Sequence, residues 1–311
     1  MTIKEIAREA GVAMSTVSLV LNNKPGVRKE TRAHVAEFLI ANGYTIRDSS
    51  SENTAHGEIR FLRLIASNHI NERNHEFFTD LLNGAERQAR QQGFDFSFAN
   101  VPASEFASAL HALGTRENLD NPIEYCPLNS INTDNISGSF SAIQELYRQG
   151  HREIGFLRGE VEIGGMHERY EGYCKAMQSF GLSVNPDYVI RVDTIVDVAA
   201  KQMSTRLGRL DPMPTAFFAC NDFIAAGAVR ALLQAGYRIP EDISIIGFDD
   251  VQICSFVSPP LSTIRIDRFR MGELGVERLL ALRQGDSDRL RCLMGVTPVL
   301  RTSIAPPRTE K

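Results

Sequence analysis

The chain has 311 residues, 43% of them hydrophobic, and a formal net charge of −4. That length is too great for a DNA-binding module alone and allows one small domain and one larger, two-lobed domain with true cores. No stretch approaches the roughly 20 apolar residues of a membrane span, and no apolar signal stretch opens the chain, so no membrane partner is expected and the location is expected to be cytoplasmic. Cys126, Cys174, Cys220, Cys254 and Cys292 are scattered without a C-x-x-C pair. They read as reduced core thiols, neither a disulfide frame nor a metal site.

Residues 2–23 read TIKEIAREAGVAMSTVSLVLNN, two short amphipathic helical patterns joined at Gly11. Ile3, Ile6, Ala7 and Ala10 recur at helical spacing, and Thr2 with Glu5 has the form of a capping box. Gly11 suits a tight turn. Val12 can close the core, and Val17, Val20 and Leu21 face inward, leaving Met14, Ser15, Thr16, Ser18 and Leu19 near the outer face of the second helix. A helix presented this way fits a major groove; an ordinary helical hairpin has the same pattern. A polar loop over 22–27 follows, then a third helical pattern from Lys29 to Asn42 with Val35, Phe38 and Leu39 inward, stopped at Gly43. Residues 1–47 carry seven Lys/Arg against four Asp/Glu, a net of +3, which leaves −7 on the remainder. A basic head on an acidic body is expected when only the head meets phosphates, and a solvated charged face explains the sign almost as well.

From Arg47 to Gly57 the chain reads RDSSSENTAHG, polar and aperiodic, the composition of a linker. Beyond it, strand-like stretches (59–66, 94–99, 153–157, 188–192, 216–219, 243–247) alternate with helical ones (77–92, 139–149, 169–180, 198–209, 222–235). This is the rhythm of βαβ units and predicts an α/β body. Asn221 and Asp222 follow one buried strand and Asp249 and Asp250 another, at the carboxyl ends where open α/β sheets bind ligands. Asp222 is expected to cap the next helix and Asp250 to close a turn, which leaves Asn221 and Asp249 as the ligand candidates. Asn68, His69, Asn71, Arg73, Asn74 and His75 form a polar run better read as a solvated loop than as a cleft wall. Between Val101 and Asp134 only a helix over 104–113 and a short strand over 122–126 are legible, about one β-α unit fewer than a doubly wound lobe needs. Loss of a central strand would leave ladder donors and acceptors unpaired.

At this point the chain resembles the LacI/GalR family of bacterial transcription regulators. The family opens T-I-x-x-I-A-x-x-A-G-V, then T-V-S, L-N and G-Y; here these are Thr2, Ile3, Ile6, Ala7, Ala10, Gly11, Val12, Thr16, Val17, Ser18, Leu21, Asn22, Gly43 and Tyr44. Gly150-His151-Arg152-Glu153-Ile154, Arg169-x-x-Gly172, ACND at 219–222, Ala225-x-Gly227, PEDISIIGFDD at 240–250 and PLSTI at 260–264 are similar to the family's regulatory core. The resemblance implies a three-helix helix-turn-helix head over residues 1–45, a linker over 46–57, and a periplasmic-binding-protein-like core over 58–311. In that core lobe one takes about 58–135 and 266–295, and lobe two about 136–265 and 296–305, with the first lobe shortened. It also implies that Arg169 faces the ligand with Asn221 and Asp249; the competing reading of Arg169 is a surface ion pair. A guanidinium and a carboxylate across a cleft suit hydroxyl-rich or anionic ligands.

Several positions depart from the family. Ala13 and Arg28 stand where Ser usually caps the second and third helices, each lost cap costing about 1 kcal/mol. Leu19 replaces an Arg that would pair with guanine, which favours an apolar contact such as a thymine methyl. Thr194 stands where an aromatic residue often stacks on the ligand, and Ser50 to Asn53 replace the A-R-x-L hinge whose Leu wedges into the minor groove. The implied DNA-facing set is Thr2, Met14, Ser15, Thr16, Ser18, Leu19, Asn22, Arg28 and Tyr44. The reading is therefore a sequence-specific repressor, a homodimer on double-stranded operator DNA, controlled by a small-molecule effector such as a sugar or sugar derivative. No catalysis, cofactor or metal is implied, since neither G-x-S-x-G nor G-x-x-x-x-G-K occurs. The alternatives are a cytoplasmic solute-binding protein of the same core fold and a degenerate regulator that no longer switches.

Overall fold

The computed structural model describes residues 3–21, 26–42, 44, 57–65, 75–102, 105, 129–160 and 164–308. The described parts fall into two compact units, residues 1–59 with 93–95, and residues 60–92 with 96–311. The linker up to His56, the hinge positions 50–53, the polar run up to Asn74 and, Glu105 apart, the helix and strand expected within 104–126 lie outside the described residues.

The head has three helices, α1 (Ile3–Glu9), α2 (Met14–Leu21) and α3 (Lys29–Ala41). Ile6, Ala7, Ala10, Val17, Val20, Val35 and Leu39 form its buried core, with Val12, Leu21, Phe38 and Tyr44 packed against it. Helical spacing put these side chains on one face of each helix, and their burial is what holds so short a bundle together. Gly11 makes the α1–α2 turn at φ 63, a conformation that costs a side-chain-bearing residue about 1–2 kcal/mol.

Beyond the head the elements run β1 (Glu58–Ile65), α4 (His75–Gln91), β2 (Asp95–Pro102), β3 (Ser130–Thr133), α5 (Asn135–Arg148), β4 (Ile154–Gly159), α6 (Gly164–Ser179), β5 (Val189–Val192) and α7 (Val196–Leu207). They continue with β6 (Ala216–Ala219), α8 (Asp222–Gln234), β7 (Ser244–Ile246), α9 (Ile253–Phe256), β8 (Thr263–Arg265), α10 (Arg268–Arg283), β9 (Arg291–Met294) and β10 (Thr297–Val299). The best-formed part is a four-stranded parallel sheet of order β5-β4-β6-β7. Central strand β6, AFFA, is apolar and buried at every position, as a strand covered on both faces must be, whereas edge strand β5 exposes Arg191. Phe156, Phe217 and Phe218 are fully buried there, and Tyr173 stacks on Phe156 at 5.1 Å between ring centres while its hydroxyl donates to the Ile154 carbonyl at 2.9 Å.

Two glycines of the sequence motifs act by their lack of a side chain. A Cβ at Gly172 would stand 2.6 Å from the Ile136 carbonyl oxygen, and one at Gly227 would stand 2.6 Å from the Ala199 Cβ, so the pairs α5–α6 and α7–α8 pack with backbones close together. His151 is a structural tie as well. It is buried, its Nε2 donates to the Ala305 carbonyl at 2.9 Å, its Nδ1 lies 2.9 Å from Thr215 Oγ1, and burial pushes its pKa down to about 4.

β1 pairs with β2, and β3 pairs in parallel with β9; these are separate two-stranded sheets with no strand joining them among the described residues. β8 and β10 pair antiparallel. β10 ends at Val299; beyond it the Arg301 and Ala305 amides donate to side chains, Ser262 Oγ at 2.8 Å and Ser244 Oγ at 3.0 Å, and the Ser303 carbonyl accepts from the Ile245 amide at 2.8 Å. The cysteines are not all core thiols: Cys220 and Cys254 are buried, Cys174 is half-buried, and Cys292 is exposed on β9.

Candidate effector site and DNA-reading face

On the head, α2 carries no acidic residue in its first turn and no basic residue in its last. Met14 is 57% exposed, Ser15 and Ser18 are exposed, and Thr16 and Leu19 are half-buried, so the outer face of α2 offers hydroxyls and apolar groups. Arg28 is exposed, extended (φ −60, ψ 148), and makes no side-chain cap bond to α3. Tyr44 is half-buried against the head core with its amide bonded to the Leu39 carbonyl at 2.9 Å. Thr2 and Asn22 lie outside the described residues.

The structure brings Arg169 and Asp249 together at the carboxyl ends of the parallel strands. Arg169, on α6, is only 7% exposed. Its Nη2 lies 2.9 Å from Asp249 Oδ1, its Nη1 donates to the Cys220 carbonyl at 2.6 Å, and its Nε donates to Asn135 Oδ1 at 2.8 Å. The guanidinium sits 3.8 Å above the Phe248 ring, a cation–π contact that holds its plane. A surface ion pair is thereby ruled out: the pair is buried, with three fixed anchors on the arginine. Asp249 is 3% exposed and holds φ 112, a strained setting for a residue with a side chain. Its amide donates to the Ile264 carbonyl at 2.8 Å and its carbonyl accepts from Arg268 Nη1, so both neighbouring peptides are pinned. Burial raises the Asp249 carboxyl above its ordinary range, against the pull of Arg169.

The helix-capping expectation for Asp222 is corrected. The cap of α8 is Asn221, whose Oδ1 accepts from the Ile224 amide at 2.8 Å. Asp222, one residue inside the helix, points into the core and accepts from Thr263 Oγ1 at 2.5 Å and from the Val251 amide at 3.0 Å. Burial first, and the Asp249 carboxylate second, push it up to about 7. Asp250 at φ 54 does more than close a turn, for it accepts from Arg265 Nε at 2.6 Å and Arg301 Nη2 at 2.7 Å. Burial opposes its ionisation, yet these two arginines hold it below the usual carboxylate range.

Three participants were not anticipated. Asn135, the first residue of α5, links Arg169 to Glu168 by donating from Nδ2 to Glu168 Oε2 at 2.7 Å. Arg268, at the start of α10, binds Asp80 of α4 at 2.8 Å as well as the Asp249 carbonyl. Glu76 of α4 accepts from the Gln252 amide at 2.6 Å. The asparagine of N-T-D-N at 132–135 was the available signal for the first; Arg268 and Glu76 act across more than 170 residues of sequence and had none. Thr194 lies in a half-buried bend after β5. Among the described residues no group of three His, Cys, Asp or Glu side chains is placed to hold a metal ion, and no helix is long and apolar enough to cross a membrane.

Comparison with known proteins agrees with both halves of this picture. Residues 2–45 match the bacterial regulatory proteins of the lacI family and residues 143–304 match the periplasmic binding protein-like domain. The HTH-type transcriptional repressor CytR of Escherichia coli (strain K12) is 30% identical over 313 aligned positions, covering 91% of this chain and 90% of that protein. The repressor PurR of Pasteurella multocida (strain Pm70) is 29% identical, covering 97% and 98%. The lac repressor dimer bound to operator and the anti-inducer ONPF shares the fold with a TM-score of 0.68 at 24% identity, covering 98% of this chain and 99% of that one. With that identity to CytR carried over nine-tenths of its length, this chain belongs to the LacI family of bacterial regulatory proteins.

Proposed function

We propose that this regulator represses transcription by binding operator DNA through α2 of its head, and that its affinity is set by a neutral, hydroxyl-rich effector bound beside Arg169, Asn221 and Asp249. The assignment divides the chain into a head over 1–45, a linker over 46–57 and a core over 58–311. The observation that carries it is the buried Arg169–Asp249 pair in a chain that also carries the three-helix head. Because Arg169 is already neutralised, with Glu168 adding a further carboxylate through Asn135, an anionic ligand would have to break a paired buried charge, whereas sugar hydroxyls can add to both partners. Sugar or a sugar derivative is the class that fits. On DNA, Thr16 and Ser18 serve as phosphate contacts, Met14, Ser15 and Leu19 meet base edges, Arg28 adds a phosphate contact, and Thr2, Asn22 and Tyr44 complete the face.

A single headpiece is too small an interface for tight specific binding, so the acting unit is a homodimer on a two-fold operator. Phe256 on α9, 75% exposed, is the kind of side chain such an interface covers. The role is that of a cytoplasmic binding protein, not of an enzyme. Calorimetric titration of the full chain with a panel of neutral sugars and nucleosides tests the effector site. Binding that is lost in Asp249→Asn supports the reading, and binding that survives in the correctly folded variant refutes it.

A further inference from the structure

By the two-residue period of a strand, β1 carries Ile59, Phe61 and Arg63 on one face. Ile59 and Arg63 are buried and Phe61 is half-buried, so an arginine holds a place that the pattern reserves for an apolar side chain. Arg63 is 8% exposed, and its Nε and Nη2 are buried without a hydrogen-bond partner. These two nitrogens form the forked edge of a guanidinium, the edge that matches both oxygens of a carboxylate or two of a phosphate. Among the described residues no carboxylate forms an ion pair with it.

The surroundings make this charge costly. The guanidinium carbon lies 4.1 Å from the centre of the Phe78 ring, and Phe78 is the fourth residue of α4. The start of a helix carries the positive end of its dipole and amide donors without intrahelical acceptors, which suits an anion and disfavours a cation. The α4 carboxylates nearest this end are engaged elsewhere: Glu76 accepts from the Gln252 amide at 2.6 Å, and Asp80 binds Arg268 at 2.8 Å. Burial lowers the Arg63 pKa, and no carboxylate of the described residues pulls it back. The contact with the Phe78 ring offsets only part of the cost of burying an unpaired ion.

We infer that Arg63, beside the first turn of α4, anchors an oxyanion site that takes a carboxylate or phosphate group in its fork. The site is distinct from the effector residues, since Arg63 forms no hydrogen bond or ion pair with Arg169, Asn221 or Asp249. It also offers a different chemistry. Arg169 meets a ligand with its charge already matched by Asp249, whereas the charge of Arg63 is unmatched within the chain. A free small anion and the anionic group of a larger molecule present the same oxygens to the fork.

The test is thermal unfolding of the full chain and of Arg63→Met, followed by circular dichroism at pH 7 in sodium chloride, phosphate or glucuronate at matched ionic strength. In chloride Arg63→Met should melt no lower than the natural chain, because it replaces an unpaired buried charge by an apolar side chain. Phosphate or glucuronate should raise the melting temperature of the natural chain by about 2–4 °C more than that of the variant, and the difference should saturate with concentration. The variant removes from this difference the general stabilisation that excluded salts give. Arg63→Lys, which keeps the charge without the fork, should recover only part of the shift. A shift with phosphate assigns a free oxyanion, and one with glucuronate alone assigns the anionic group of a larger molecule. Equal shifts in the natural chain and Arg63→Met, a full shift in Arg63→Lys, or an Arg63→Met that melts well below the natural chain in chloride would overturn the inference.

Discussion

Replacing Arg169 by Leu separates the two roles of the buried pair. The variant leaves Asp249, 3% exposed, without its counter-charge and beside Asp222, and it removes the donors to the Cys220 carbonyl and Asn135 Oδ1. Removing one partner of a buried ion pair costs about 3–5 kcal/mol. The two orphaned acceptors belong to the same network, so their cost is not a separate sum. Asp249→Asn should cost less, because the amide oxygen can still accept from the guanidinium and the repulsion with Asp222 disappears. The double variant should then be more stable than the two single losses added together, with a coupling of about 1–3 kcal/mol. The chain has no tryptophan, so the assay is urea unfolding followed by far-ultraviolet circular dichroism. A loss below about 1 kcal/mol for Arg169→Leu, or strict additivity in the cycle, would refute the account of this pair as a mutually dependent buried unit.

Asp222 keeps its proton in the folded state to about pH 7, whereas an unfolded aspartate releases it near 4, so between those values the native state holds the extra proton and stability falls as pH rises. His151 acts in the opposite sense: held neutral down to about 4, it withdraws stability as pH falls from 6.5. Asp222→Asn should therefore convert a flattened profile between about pH 4 and 6.5 into one that rises with pH, and an unchanged profile in urea midpoints would contradict the buried-acid assignment. Arg28→Ser should restore the missing cap of α3, stabilising the head by about 1 kcal/mol, and should also reduce the slope of log affinity against log salt by about 0.9 if Arg28 contacts a phosphate. Gly227→Ala sets a gain in helix propensity of at most about 1 kcal/mol against a Cβ clash at 2.6 Å with Ala199; the clash wins, and a net loss of about 1–3 kcal/mol in thermal unfolding is expected.

The second lobe was readable in the sequence because β4, β5 and β6 are short, largely apolar and each followed by a helix of twelve or more residues. β6 was placed at Ala216–Ala219 to the residue, and β5 and α8 to within a residue at either end. Membership of the LacI family was legible too, carried by motifs with structural work behind them: Gly11 at positive φ, and Gly172 and Gly227 at helix contacts. What escaped was long-range. Periodicity says that Asp222 follows a strand, but not that Thr263 and Val251, 41 and 29 residues further on, would claim its carboxylate while Asn221 took the cap. β3, β9 and β10 are three or four residues long, too short to show a period, and β9 is exposed. Arg268 joins Asp80 and the Asp249 carbonyl through a fold that brings α4 and α10 together, a partnership invisible to any local pattern.

The measurement that bears most directly on the central claim is selection of bound duplexes from a random pool by the purified full chain at one stated salt concentration. A dimeric repressor reading DNA through α2 should recover a pseudo-palindrome whose half-sites are related by the protein two-fold, with apolar contacts such as thymine methyls opposite Leu19. Folded protein that enriches no motif would contradict operator recognition by this head.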